Sequence, residues 1–169
     1  MKAEILPFSP MYMARIAQLT NKSNQFNLTT LRCSQADIEQ YASDSSYITL
    51  YGKLEDCFGD NGVVSVVFGH VDAADSARFH IDLWLMSCRV LKRNMEFAMM
   101  DSLAAACKKR GIRTIRGYYY PTAKNKMVEN FYGLQGFTLK NRDDEGNAEW
   151  EYEIPAAYEN KNRYIEITE

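Results

Sequence analysis

Residues 77–119 change period twice, and that change constrains the fold more than any other feature of the chain. Ala77–Met86 reads as a strand. Asn94–Arg110 reads as a helix, with Met95, Met99, Leu103 and Ala106 on one face and Gly111 placed to end it. Ile112–Tyr119 reads as a strand again. A strand–helix–strand crossover belongs to a sheet that carries helices on its faces. Hairpin signals flank it. Tyr47–Glu55 and Val63–Val71 read as strands around the turn Cys57-Phe58-Gly59-Asp60-Asn61-Gly62. Downstream, Thr122 can cap a helix carrying Val128, Phe131 and Tyr132, Gly136 ends it, and a strand begins at Phe137. Asp143–Asn147 reads as a turn before a last strand, Glu149–Ile154, in which Trp150, Tyr152 and Ile154 alternate with glutamates. Two helices come first, about Ser9–Leu19 and one starting after Ser34, where Asp37 completes a capping-box pattern. The amide-rich stretch Thr20–Asn27 between them reads as loop. The fold class expected is α/β, with a mixed, largely antiparallel central sheet and helices on both faces.

At 169 residues the chain is expected to form one domain over 1–169. A formal charge of −2 gives no overall basic footprint for nucleic acid. No apolar run reaches the roughly 18 residues of a membrane helix, and no leader pattern opens the chain, so a cytoplasmic protein without a membrane contact is expected. Cys33, Cys57, Cys88 and Cys107 show no metal spacing, and His70 and His80 are the only histidines. No metal and separate reduced thiols are therefore expected. Tyrosine is frequent, with eleven residues, which suggests a tyrosine-rich core edge or cleft.

Two segments carry a resemblance. Met86-Ser87-Cys88-Arg89-Val90-Leu91-Lys92-Arg93-Asn94 joins a strand to a helix, where GNAT acetyltransferases carry R-x-x-G-x-G/A. Asn125-Lys126-Met127-Val128-Glu129-Asn130-Phe131-Tyr132-Gly133-Leu134-Gln135-Gly136-Phe137 resembles their N-x-x-x-x-x-F-Y-x-x-x-G-F segment. A narrower resemblance runs through Arg15–Arg32, Asp56–Gly62, Met86–Val90 and Tyr120–Asn125. These are similar to the C-terminal, GNAT-like part of FkbH-like proteins, which load a glyceryl unit onto an acyl carrier protein. Those proteins also hold a haloacid-dehalogenase-type phosphatase domain. Its D-x-D-x-T/V motif is absent here, so the resemblance implies a phosphatase on another chain, trimmed or lost.

The resemblance implies a coenzyme A or phosphopantetheine thioester as substrate, with an acyl carrier protein as a partner. Arg89, Val90, Leu91, Lys92, Arg93 and Asn94 would meet its phosphates. A strand feeding a helix presents free N–H groups there, although Lys92 and Asn94 replace the glycines that allow close approach. Asn125 would meet the pantetheine arm. Cys88, beside that helix start and its arginines, could carry an acyl group as a thiolate, or be a small buried hydrophobe. Tyr132 could donate a proton to the leaving thiolate, or pack on the sheet. Asn24, Gln25, Asn27, Thr29 and Arg32 could bind the acyl group or acceptor, or bond one another within a capping loop. Asp56 and Asp60 could be acid/base groups, and read better as turn residues. Tyr118, Tyr119 and Tyr120 could face a cleft or pack within the sheet. Three functions stay open: an acyltransferase on a pantetheine thioester, a GNAT-fold docking module without turnover, which the altered loop favours, and a general N-acetyltransferase.

Overall fold

Alternating apolar side chains build an eight-stranded sheet and divide its two faces between helix pairs. The computed structural model describes residues 1–56, 59–87 and 94–168. Its strands are β1 (Lys2–Leu6), β2 (Tyr47–Asp56), β3 (Gly59–Val71), β4 (Arg78–Met86), β5 (Thr114–Tyr119), β6 (Thr138–Arg142), β7 (Ala148–Glu153) and β8 (Glu166–Thr168). Its helices are α1 (Met13–Lys22), α2 (Gln35–Ser43), α3 (Met95–Lys109) and the single turn α4 (Phe131–Leu134). The strand order is β6-β7-β5-β4-β3-β2-β1-β8. β4 with β5 and β1 with β8 run parallel, and the other neighbours are antiparallel. The mixed sheet expected from the crossover is therefore present.

Met13, Ile16, Leu19 and Ile38 of α1 and α2 pack on Tyr51, Val66, Phe68 and Leu83 on one face. Met95, Met99, Leu103 and Cys107 of α3, with Phe131 and Tyr132 of α4, pack on Leu50, Val67, Ile81 and Trp84 on the other. Ser34 caps α2 in a reciprocal box. Its Oγ accepts from Asp37 N at 3.1 Å, while the Asp37 carboxylate accepts from Ser34 N at 2.9 Å.

Two irregularities of β4 shape the surface around it. Phe68 pairs with Leu83, yet Gly69 pairs with Ile81, so Asp82 is an extra residue in a bulge. The bulge reverses face parity along β4. His80 lies on the α1/α2 face before it, and Leu83 and Leu85 continue that face after it. A Cβ on Gly69 would stand 1.9 Å from the His80 carbonyl oxygen, so only glycine fits. The second irregularity is that β4 pairs with β5 only from Arg78 to His80. Beyond that the strands part, and the segment after α1 enters the gap. Leu28 N donates to Trp84 O at 3.1 Å, Met86 N to Phe26 O at 3.0 Å, and Tyr120 N to Leu28 O at 2.9 Å.

Several expectations shift. α1 starts at Met13, after a 3-10 turn over Pro10–Tyr12, and runs to Lys22, so Thr20, Asn21 and Lys22 are helical rather than loop. Thr20 and Asn21 are held there by bonds to the carbonyl oxygens of Ala17 and Cys33. Gly59–Gly62 belong to β3, because pairing with β2 continues out to Asp56 and Gly59. The helix expected after Thr122 is a 3-10 turn, Lys126–Val128, followed by α4. β1 and β8 have no counterpart among the strands expected from sequence. β8 is reached through a strap over α3. There the Asp101 carboxylate accepts from Tyr158 Oη at 2.7 Å, Lys161 N at 2.8 Å and Asn162 N at 2.9 Å. Among the described residues, no helix is long and apolar enough to cross a membrane.

Candidate active site

On the α1/α2 face, past the end of α2, aromatic rings form a row across four strands. Tyr41 of α2 stacks on Tyr47 of β2 at 4.9 Å, and Tyr47 meets His70 of β3 at 5.8 Å. His70 stacks on His80 of β4 at 5.1 Å, and His80 on Tyr118 of β5 at 5.9 Å. This row floors a groove of about 680 Å³, walled by Thr29, Leu31, Ile81, Asp82 and Tyr120. No lysine or arginine among the described residues lines it.

Each histidine is held by a carboxylate. His70 Nδ1 lies 2.8 Å from Asp82 Oδ2, and His80 Nε2 lies 2.6 Å from Asp72 Oδ2. A carboxylate accepts, so His70 donates from Nδ1, and in the neutral ring Nε2 is bare. Burial pushes the Asp82 carboxyl above its ordinary range, against the pull of His70. The bond from His80, helped by the N–H groups of Ala74 and Asp75, holds Asp72 down at about 2. A pH dependence results. Asp72 binds its proton less readily folded than unfolded, so its contribution to stability is complete above about pH 3.8 and is lost as pH falls toward 2. Acid unfolding followed by circular dichroism should show this loss in the native chain. The native chain and Asp72→Ala should converge in stability over that interval, and parallel curves would count against the bond.

Most of this site is not among the residues that the sequence singles out. His70 and His80 enter there only as too few for a metal. Their pairing is set by hairpin register: the β3–β4 turn brings His70 opposite His80. Tyr118 and Tyr120 face the groove, while Tyr119 turns to the other face and lies buried beside Asn125.

The residues expected to act are spread over several places. Cys88, Arg89, Val90, Leu91, Lys92 and Arg93 lie outside the described residues, as does Cys57. Asn94 starts α3 at φ +66°, the left-handed conformation that asparagine tolerates and glycine favours. Of the substrate candidates, Thr29 lines the groove and donates to Asp82 O at 2.7 Å. Asn24 Oδ1 accepts from Arg32 at 2.6 Å, Arg32 also reaches Ser23 O at 2.8 Å, and Asn27 bonds Ser23 O and Thr30 N. These three knit their own loop. Asn125 is buried, with Nδ2 on Asn27 O at 2.9 Å and Tyr120 O at 3.0 Å, and Oδ1 on Thr122 N at 2.8 Å. Its amide closes the Tyr120–Asn125 turn and ties it to Asn27, which occupies the groups a ligand would need. Cys33 and Cys107 are buried free thiols, pushed up to about 11 and about 12 by desolvation.

Tyr132 lies wholly in the core, under Gly117 and beside Trp84 and Phe137. Its hydroxyl faces the Tyr118 backbone without a completed hydrogen bond. Burial pushes its pKa far up. The structure gives Tyr132 a packing role. Tyr132→Phe, which removes an unpaired buried hydroxyl, should leave stability unchanged or raise it by about 1 kcal/mol. Thermal unfolding checks this, and a loss of more than about 1 kcal/mol would show that the hydroxyl has a partner.

A second groove, of about 520 Å³, opens at the C-terminal end of β4. Leu19, Lys22, Asn24, Gln25, Phe26, Met86, Ser87 and Lys124 line it. The segment Phe26–Thr29 stands between the two grooves. Phe26 packs on Phe131 at 5.1 Å, and Leu28 is fully buried. Among the described residues no cluster of His, Cys, Asp or Glu could hold a metal.

No family model matches the chain, and no curated protein matches it. Solved structures do. An acetyltransferase of the GNAT family from Streptococcus pneumoniae superposes with a TM-score of 0.68 at 14% identity, over 91% of this chain and 100% of that one. The GNAT domain of S. lividans PAT gives 0.66 at 17% identity, over 88% and 89%. The Salmonella typhimurium protein yncA, solved with its cofactor acetyl-CoA, gives 0.67 at 9% identity, over 95% and 99%. The chain has the GNAT fold. At these identities the likeness is one of fold. Within that GNAT frame the histidine groove lies on the α1/α2 side of β4, and the second groove lies at the strand's C-terminal end.

Proposed function

We propose that the chain is an acyltransferase that takes its acyl group from a pantetheine thioester. The observation that carries this reading is the placement of two histidines, each held by a carboxylate, in a groove beside the point where β4 and β5 part. GNAT-fold relatives that bind acetyl-CoA or coenzyme A support the donor class. The residues at the end of β4 suit such an arm at its mouth. Lys22 and Lys124 offer cations for phosphates, and Leu19, Phe26 and Met86 offer an apolar wall. The thioester supplies an activated acyl carbon when bound. His70 is placed to take the acceptor's proton at Nε2, with Asp82 fixing its tautomer and stabilising the imidazolium. Tyr47 and Tyr120 offer ring faces and hydroxyls for orienting an acceptor.

The finer reading rests on the FkbH-like motifs. The donor or acceptor would be the pantetheine arm of an acyl carrier protein. Cys88, which comes after groove residue Ser87 in sequence, would hold the acyl group, and a separate phosphatase would prepare the donor. A covalent adduct on the native chain, absent in Cys88→Ser, would be its signature by intact mass. A retained adduct in that variant would exclude it.

One observation favours a second reading. Phe26 and Leu28 fill the gap between β4 and β5, so the two grooves do not meet in this conformation. A docking module without turnover would keep that gap closed. The deciding experiment monitors coenzyme A release from acetyl-coenzyme A, with and without ethanolamine as a small acceptor. Turnover that falls in His70→Ala supports the transferase. Binding without turnover supports the docking module.

A further inference from the structure

Asp72, His80 and Tyr118 make an unbroken chain that ends in the groove. Asp72 Oδ2 lies 2.6 Å from His80 Nε2, and His80 Nδ1 lies 2.7 Å from Tyr118 Oη. The direction of these bonds is set by Asp72. Its other oxygen, Oδ1, accepts from Ala74 N at 2.8 Å and Asp75 N at 3.0 Å. Asp72 is thus a carboxylate held by the turn that it closes, and it can only accept from His80. His80 donates to it from Nε2, and in the neutral ring Nδ1 is then an acceptor. Tyr118 therefore donates its phenolic hydrogen to Nδ1. Tyr118 itself lines the groove.

We infer that Tyr118 is a proton-transferring catalytic residue of the groove, with His80 and Asp72 as its positioning residues. The arrangement has the logic of a nucleophile, a base and an orienting carboxylate, with a phenol in the first place. A group in the groove gives its proton to Tyr118 Oη while the phenolic proton passes to His80 Nδ1. The imidazolium so formed is held by Asp72, and the reverse passage restores it. One proton enters and one leaves, and no further reactant is needed. This deepens the acyl-transfer reading and rests on it for its purpose, since a transfer to an O–H or N–H acceptor must dispose of that proton. Among the described residues no hydrogen bond joins it to the His70–Asp82 pair, although the two histidine rings stack at 5.1 Å.

The test uses N-acetylimidazole, which carries its own acyl group, so it does not depend on coenzyme A binding. When Tyr118 is acetylated, its oxygen bonds to the acetyl carbon, the carbon–nitrogen bond of the reagent breaks, and the phenolic proton leaves through His80 to the departing imidazole. Acetylation of each tyrosine is measured by peptide mass spectrometry at neutral pH. Tyr118 should react faster than Tyr120, although Tyr120 is 44% exposed and Tyr118 is half-buried. In Asp72→Asn the amide oxygen can keep the bonds to Ala74 and Asp75 and turn its NH₂ toward His80. That forces the proton onto Nδ1 and removes the acceptor for Tyr118. Tyr118 acetylation should fall about 100-fold while Tyr120 is unchanged. Nitrogen-15 shifts should show His80 protonated on Nε2 in the native chain and on Nδ1 in Asp72→Asn. His80→Phe keeps the ring stack without the acceptor and should match Asp72→Asn. A Tyr118 rate no greater than that of Tyr120, an unchanged rate in Asp72→Asn, or a native His80 protonated on Nδ1 would each overturn the inference. Absence of coenzyme A binding would remove the acyl-transfer reading and leave this result standing.

Discussion

Gly69→Ala should destabilise the protein by about 3 kcal/mol, far more than a methyl group normally costs on a strand. The added Cβ would sit 1.9 Å from the His80 carbonyl oxygen and 2.7 Å from Phe79 Cζ. Backbone oxygen cannot rotate away as a side chain can. Relief requires β3 and β4 to separate at the bulge that also places Asp82 against His70. The same variant should therefore lose the His70–Asp82 bond, seen as an altered His70 tautomer by nitrogen-15 shifts. Urea unfolding gives the energy. A loss below about 1 kcal/mol would mean that the bulge can relax, and that the close approach is not what fixes the site.

Asp82→Asn should separate stability from turnover. The carboxyl is partly buried and raised above its ordinary range by desolvation, so the native state bears a cost for keeping it charged. Asparagine has the same shape, and its oxygen can still accept from His70 Nδ1. Stability should stay within about 1 kcal/mol of the native value, or rise. Turnover of acetyl-coenzyme A should fall about 100-fold, because the imidazolium that forms at His70 loses its counter-charge. Parallel urea unfolding and initial rates make the comparison. Equal turnover in the two proteins would remove the His70–Asp82 pair from the mechanism.

Three local signals in the sequence are matched by the structure. The Ser34–Asp37 box, the apolar stripe of α3 and the alternation of Trp150 and Tyr152 each depend on neighbours within a turn or a strand, and each is present. β1 gives a weak signal because only Ala3 and Ile5 of its five residues are buried, and β8 because it has three residues. Both are held by pairing with distant strands, which no local window contains. The site is hidden for the same reason. His70, His80 and Tyr118 come together through strand register, and Asp82 joins them through a bulge that the sequence marks only by Gly69. The amide-rich loop is legible as a polar segment near a cleft. Its side chains are largely spent on the loop itself, as Asn24 shows, and of the five substrate candidates only Thr29 lines the histidine groove.

A pantetheine thioester seated at the end of β4 is tested most directly by calorimetric titration with coenzyme A. Amide exchange of Leu28 and Met86 is measured in the same samples. Micromolar binding is expected, about −8 kcal/mol. Faster exchange at these two N–H groups is expected on binding, since they bond across the gap that the arm must enter. No heat at millimolar coenzyme A, with both amides as protected as the β3–β4 ladder, would contradict it.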